Sequence, residues 1–169
     1  STEGRSFVKQ YDLIYIYHNR IDKTGDDKTS EDKVFEAVDE EIAFLKELLR
    51  KIANVNGNNI FITSDHGYIY QHETLEESEF ASVDVKGEVW KTNRRFILGR
   101  NLEAANALKK FNGSQLGLTE DVDVLISKGI NRLRVKGAGS RFVHGGASLQ
   151  EIVVPLLKVS KKREDTTTQ

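Results

Sequence analysis

Apolar positions along the chain follow two different periods. Residues 12–17 (Asp-Leu-Ile-Tyr-Ile-Tyr) and 60–63 (Ile-Phe-Ile-Thr) are short apolar runs, rich in β-branched and aromatic side chains. Runs of that length and composition predict buried strands. Between them, Val34, Val38, Ile42, Leu45, Leu49 and Ile52 recur at spacings of three and four. That period predicts a helix from roughly Ser30 to Ala53, with a solvated Glu- and Lys-rich opposite face. Ser30 is the expected N-cap, with acids in the first turn, and Gly57 the expected stop. The order strand, loop, helix, strand, loop predicts a βαβ unit with parallel strands. Both strand-end loops then fall at one edge of the sheet, where open α/β sheets bind ligands.

The pattern is less regular over 72–136. Strand-like pieces fall at 82–85, 89–91, 95–98, 122–126 and 133–135, with a short helix predicted over 102–111. This stretch is expected to be an insert, either capping the site or facing a partner. Ser148 followed by Glu151 is a capping-box pattern that opens a short helix. A last strand is expected over 153–159, and Pro155 suggests an edge position or a strand start. The expectation is one domain over 1–162 and a disordered tail over 163–169.

Composition narrows the chemistry. The net charge of −1 gives no global field for nucleic acid or membrane. No run approaches the ~18 apolar residues of a membrane helix. Ser1-Thr2-Glu3-Gly4 is no signal peptide, and a cytoplasmic location is expected. The chain has no cysteine, so a metal would be held by Asp, Glu and His. Between Lys86 and Arg141 twelve Lys and Arg stand against five acids. Such a surplus either favours anionic substrates such as phosphates or is scattered surface charge.

Three clusters carry candidate ligands. The strand at 60–63 ends on Ser64-Asp65-His66-Gly67. Asp and His donors suit Zn²⁺ or a similar divalent ion. The alternative is a loop with a capping Asp and a solvated His. The strand at 12–17 ends on His18, Asp22 and Asp26, whose carboxylates either converge on a cation or belong to a turn. His144 is followed by Gly145 and Gly146, which let backbone pack closely around its imidazole. Arg141 either meets a phosphate oxygen or is a surface charge. No Walker A or Gly-x-Gly-x-x-Gly pattern points to a nucleotide-binding domain.

In this order along the chain, Asp22-Lys23-Thr24-Gly25-Asp26, Thr63-Ser64-Asp65-His66-Gly67 and His144-Gly145-Gly146-x-Ser148-Leu149-x-Glu151-x-x-Val154-Pro155 resemble the metal-ligand motifs of the alkaline phosphatase superfamily. Tyr17-His18-Asn19-x-Ile21-Asp22 and Phe142-Val143-His144-Gly145-Gly146 are most similar to the PglZ family, the proposed phosphatase of BREX phage-defence systems. The resemblance implies an α/β fold of three α/β/α layers around a mostly parallel central sheet. The N-terminal half and the nucleophile would lie outside this chain. It implies two divalent metals, Zn most readily, with Mn or Mg as alternatives. Asp22, Asp26 and His144 would serve one metal, and Asp65 and His66 the other. Asp26 stands where the motif usually has histidine, which leaves His18 as an alternative ligand. The implied activity is hydrolysis of a phosphomonoester or a phosphodiester, nucleic acid included, with other BREX proteins as partners. A catalytically inactive scaffold binding those partners is the alternative.

Overall fold

The computed structural model describes residues 2–81, 84–103 and 106–161. The expected tail at 163–169 and part of the strand expected at 82–85 lie outside the described residues. Helices α1 (Thr2–Val8), α2 (Arg20–Asp26) and α3 (Val34–Asn54) lead to strands β1 (Asn59–Thr63) and β2 (Ile69–Tyr70). Then follow β3 (Phe80–Ala81), β4 (Lys86–Thr92), β5 (Phe96–Glu103), β6 (Leu108–Asn112), β7 (Asp123–Ser127), β8 (Arg132–Leu133) and β9 (Phe142–Val143). Helix α4 (Leu149–Ile152) and β10 (Leu156–Ser160) close the described chain.

The architecture is mixed α/β, and the described strands form four small sheets. The expected βαβ unit does not form among the described residues. Residues 13–17 pair with no described strand, and Leu13, Tyr15, Ile16 and Tyr17 are exposed. Strand backbone needs a partner for its N–H and C=O groups, and no described strand supplies one here. β1 pairs instead with β10, antiparallel, from Asn59↔Ser160 to Thr63↔Leu156. The only parallel pairing among the described strands is β3 with β8. These pairings do not make a mostly parallel central sheet. β10 starts just after Pro155, so the expected strand over 153–159 begins three residues late.

Helix α3 runs close to its predicted bounds, but a 3-10 turn at Glu31–Lys33 precedes it. Ser30 does not cap it; its hydroxyl donates to the Thr24 carbonyl at 2.8 Å. The buried stripe of the helix is Val34, Ala37 and Glu41, while Ile42 is exposed.

The most continuous apolar core belongs to the 72–136 stretch. There β4-β5-β7-β6 form an antiparallel sheet, and Ala81, Ile97, Leu102, Leu108, Leu125 and Leu133 pack together. The helix expected over 102–111 is replaced by the end of β5 and by β6. Leu102 and Leu108 both bury into that core, and β6 pairs with β7 from Leu108↔Ser127. Tertiary burial overrides the helix-forming Ala and Leu of this segment.

A buried ion pair ties this sheet to the loop after β9. Arg95 and Glu151 form two hydrogen bonds, at 2.8 and 2.9 Å, with Arg95 fully buried. Glu151 also accepts the Gly146 and Ser148 N–H groups and the Ser148 hydroxyl. The glycine turn after His144 is thereby held by a charged, saturated network. Burial pushes the Glu151 carboxyl up, but the Arg95 and Ser148 hydrogen bonds outweigh it and hold the group below its usual range.

Candidate metal centre

Residues 20–26, expected as a loop, form helix α2. Asp22 and Asp26 are thus i and i+4 on one helical face. Gly25 makes the placement of that helix feasible: a Cβ there would lie 2.3 Å from Cγ of Phe142. Phe142 and Val143 are fully buried in β9, which pairs with β2 through Ile69↔Val143 and Tyr70↔Phe142. α2 therefore rests directly on β9, the strand that His144 follows. Gly67 has a similar role after β1. Its N–H donates to the Glu151 carbonyl at 2.8 Å, and a Cβ would sit 2.0 Å from the Gln150 carbonyl oxygen. Larger residues at Gly25 or Gly67 would push these elements apart.

The outcome is a cluster of three half-buried donors. Asp22, His66 and His144 each offer one ligand atom, and those atoms lie within 4.8 Å of one another. His144 Nε2 is 3.7 Å from an Asp22 oxygen. The two imidazole rings stack at 4.2 Å between centroids. His66 Nδ1 is 3.1 Å from the Gly67 carbonyl oxygen. In the tautomer that donates from Nδ1, the lone pair of Nε2 is free for a cation. One carboxylate and two imidazoles are a donor set that suits Zn²⁺ or Mn²⁺, so the residues present fit a divalent ion.

The other candidate residues stand around this cluster in different ways. Asp26 Oδ1 is 3.4 Å from His144 Nε2, but it also accepts from Arg94 at 2.6 Å. Asp65 follows β1, with its side chain 88% exposed and one oxygen 3.8 Å from His66 Nε2. His18 turns to α3, where it pairs with Glu41 at 2.5 Å and stacks on Phe44. Arg94 was not singled out by its sequence. Its guanidinium is buried and donates to Asp26 and to the Phe142 and Gly139 carbonyls. The only signal was its place in the basic surplus, which does not say which arginine turns inward.

Residues 1–159 match the family model described as the BREX system PglZ alkaline phosphatase-like domain. The chain is 40% identical over 160 residues to the alkaline phosphatase-like protein BrxZ of Escherichia coli O9:H4 (strain HS). It is 37% identical over 162 residues to the alkaline phosphatase-like protein PglZ of Bacillus cereus (strain H3081.97). These alignments take in 93% and 92% of the chain but 18% of each relative.

Proposed function

The chain belongs to the PglZ family of BREX-system alkaline phosphatase-like domains, and from that premise we propose that it carries the metal-binding part of a phosphoryl-ester hydrolase, a phosphatase or phosphodiesterase acting in phage defence. The observation that carries this reading is the convergence of Asp22, His66 and His144 from three separate elements. Asp22 offers a carboxylate oxygen, and His66 and His144 offer imidazole nitrogens. Asp65 and Asp26 are the further oxygen donors of a two-cation site, with zinc the preferred ion and Mn²⁺ or Mg²⁺ alternatives. Cations held there supply positive charge that polarises a phosphoryl oxygen and stabilises the oxygens entering and leaving phosphorus.

The chain's own residues shape the site. Gly67 holds the His66 tautomer through its carbonyl. Arg94 fixes one Asp26 oxygen, leaving the second for a cation. The hydroxyl that attacks phosphorus belongs to a part of the protein outside these motifs. The fuller three-layer α/β/α fold belongs to this reading too. So do a cytoplasmic location and other BREX proteins as partners. No described helix is long and apolar enough to cross a membrane.

One observation favours a second reading, a scaffold that binds defence partners without catalysis. Asp26 is already paired with Arg94, as a structural carboxylate would be. Replacing both Asp65 and His66 by Ala in the full-length protein separates the two readings. The hydrolase reading expects metal-dependent phosphoester turnover to be abolished with the fold intact. Unchanged turnover refutes it.

A further inference from the structure

The basic surplus after Lys86 has a structural counterpart that the metal cluster does not use. A cleft of about 870 Å³ opens between the Lys28–Asp32 segment and the loop 133–141. Four cationic side chains line it, Lys28, Arg134, Lys136 and Arg141, against the carboxylates of Glu31 and Asp32. Their partners decide what charge is left to act on a ligand. Arg134 is spent: it pairs with Glu77 at 2.5 Å and lies over the Phe80 ring. Glu31 is 8% exposed and turns its carboxylate to the loop, accepting the Arg141 N–H at 3.1 Å. Lys28 and Lys136 have no hydrogen-bond or ion-pair partner among the described residues. The Arg141 guanidinium meets only the neutral Thr74 hydroxyl there. The N–H partner leaves the charge of Glu31 in place, so the three unpaired cations Lys28, Lys136 and Arg141 face two acids, Glu31 and the exposed Asp32, and the lining keeps a positive excess.

The cleft also adjoins the metal cluster. The Arg94 guanidinium touches Asp26 Oδ1 at 2.6 Å and the Gly139 carbonyl at 3.4 Å, and Gly139 lines the cleft. One side chain therefore separates Asp26 from the cleft wall. Lys28 follows Asp26 by two residues, and Arg141 precedes His144 by three. A concave surface with excess cations concentrates anions, and guanidinium and ammonium groups together suit phosphate oxygens.

We propose that this cleft is an anion subsite, which holds a second phosphate-like group of the substrate whose ester lies at the Asp22–His66–His144 cluster. The placement of the ester rests on the hydrolase reading; the anion site itself does not. The substrate class becomes one with two anionic groups, and a compound with a lone phosphoryl group binds less tightly.

The test uses the ¹⁵N-labelled chain, stripped of metal and exchanged into chelator-free buffer, with inorganic pyrophosphate as the probe. The expected result is saturable amide shifts at Lys28 and across 137–141. Affinity should fall at least tenfold in Lys28→Ala/Lys136→Ala and stay unchanged in Lys46→Ala, an exposed lysine on α3. Shifts that avoid these residues, or equal affinity in all three proteins, overturn the subsite. The spectra also report whether each variant is folded. Zinc titration of the same samples reads the metal cluster separately: anion binding without zinc binding keeps the subsite and sinks the hydrolase reading, and zinc binding without anion binding does the reverse.

Discussion

The imidazole rings of His66 and His144 lie face to face, 4.2 Å between centroids and 7° from parallel. They come from the ends of β1 and β9, strands of two different sheets. Each ring limits how the other can turn, so both nitrogens are presented in fixed planes. His66→Phe keeps a stacking ring and removes the ligand. Zinc affinity should fall by at least about tenfold, the scale on which even residues behind a ligand act, while the unfolding midpoint stays near that of the parent. Calorimetry and urea denaturation on the one variant read both quantities.

Gly25 makes a second point about the same assembly. Its missing Cβ is what lets α2 lie on Phe142. Gly25→Ala should cost about 1–3 kcal/mol, as overpacking does. The variant should also bind zinc more weakly, because α2 carries Asp22. Loss of stability with full zinc affinity would show that α2 tolerates the displacement.

Arg94 satisfies the buried Phe142 carbonyl at 2.9 Å and holds Asp26. Arg94→Met should cost about 2–3 kcal/mol in urea unfolding, since a buried acceptor loses its donor. Asp26→Asn should cost less, about 1 kcal/mol or below, because the Asp26 side chain is 44% exposed and solvent screens the pair.

The Arg95–Glu151 pair predicts a pH dependence. Glu151 has its carboxyl held low in the folded chain. Its stabilisation is therefore complete above the ordinary Glu value of about 4.3 and is lost as pH falls through the lower folded value. Glu151→Gln leaves Arg95 buried beside a neutral partner and should cost about 3–5 kcal/mol at pH 7. The gap between parent and variant should narrow as pH drops below about 4. Urea titrations at pH 7 and at pH 3 measure both ends.

How much of this was legible in the sequence varies by element. The α3 helix was readable because its apolar period is long, although tertiary contacts rotated its buried stripe onto Glu41. β4, β5 and β7 were readable as short β-rich runs. The helix expected over 102–111 was not, because its Leu residues answer to a sheet core rather than to their neighbours in sequence. That 12–17 pairs with no described strand was also out of reach, since a strand's partner is set by residues distant in the chain. At the site, the end of β1 and a glycine turn pointed to His66 and His144, which lie within 4.8 Å of Asp22, while Asp22 was singled out after a strand at 12–17 that does not form among the described residues. Asp22 and Asp26 converge for a reason that was missed: they share a helix face instead of a loop. Arg94 was missed because its partner Asp26 is 68 residues away.

The most direct measurement is a calorimetric zinc titration of the chain beside His144→Ala. Saturable binding is expected in the parent and its loss in the variant, with both proteins folded by circular dichroism. No binding in the parent, or equal binding in the two, would contradict the claim that Asp22, His66 and His144 form a metal centre.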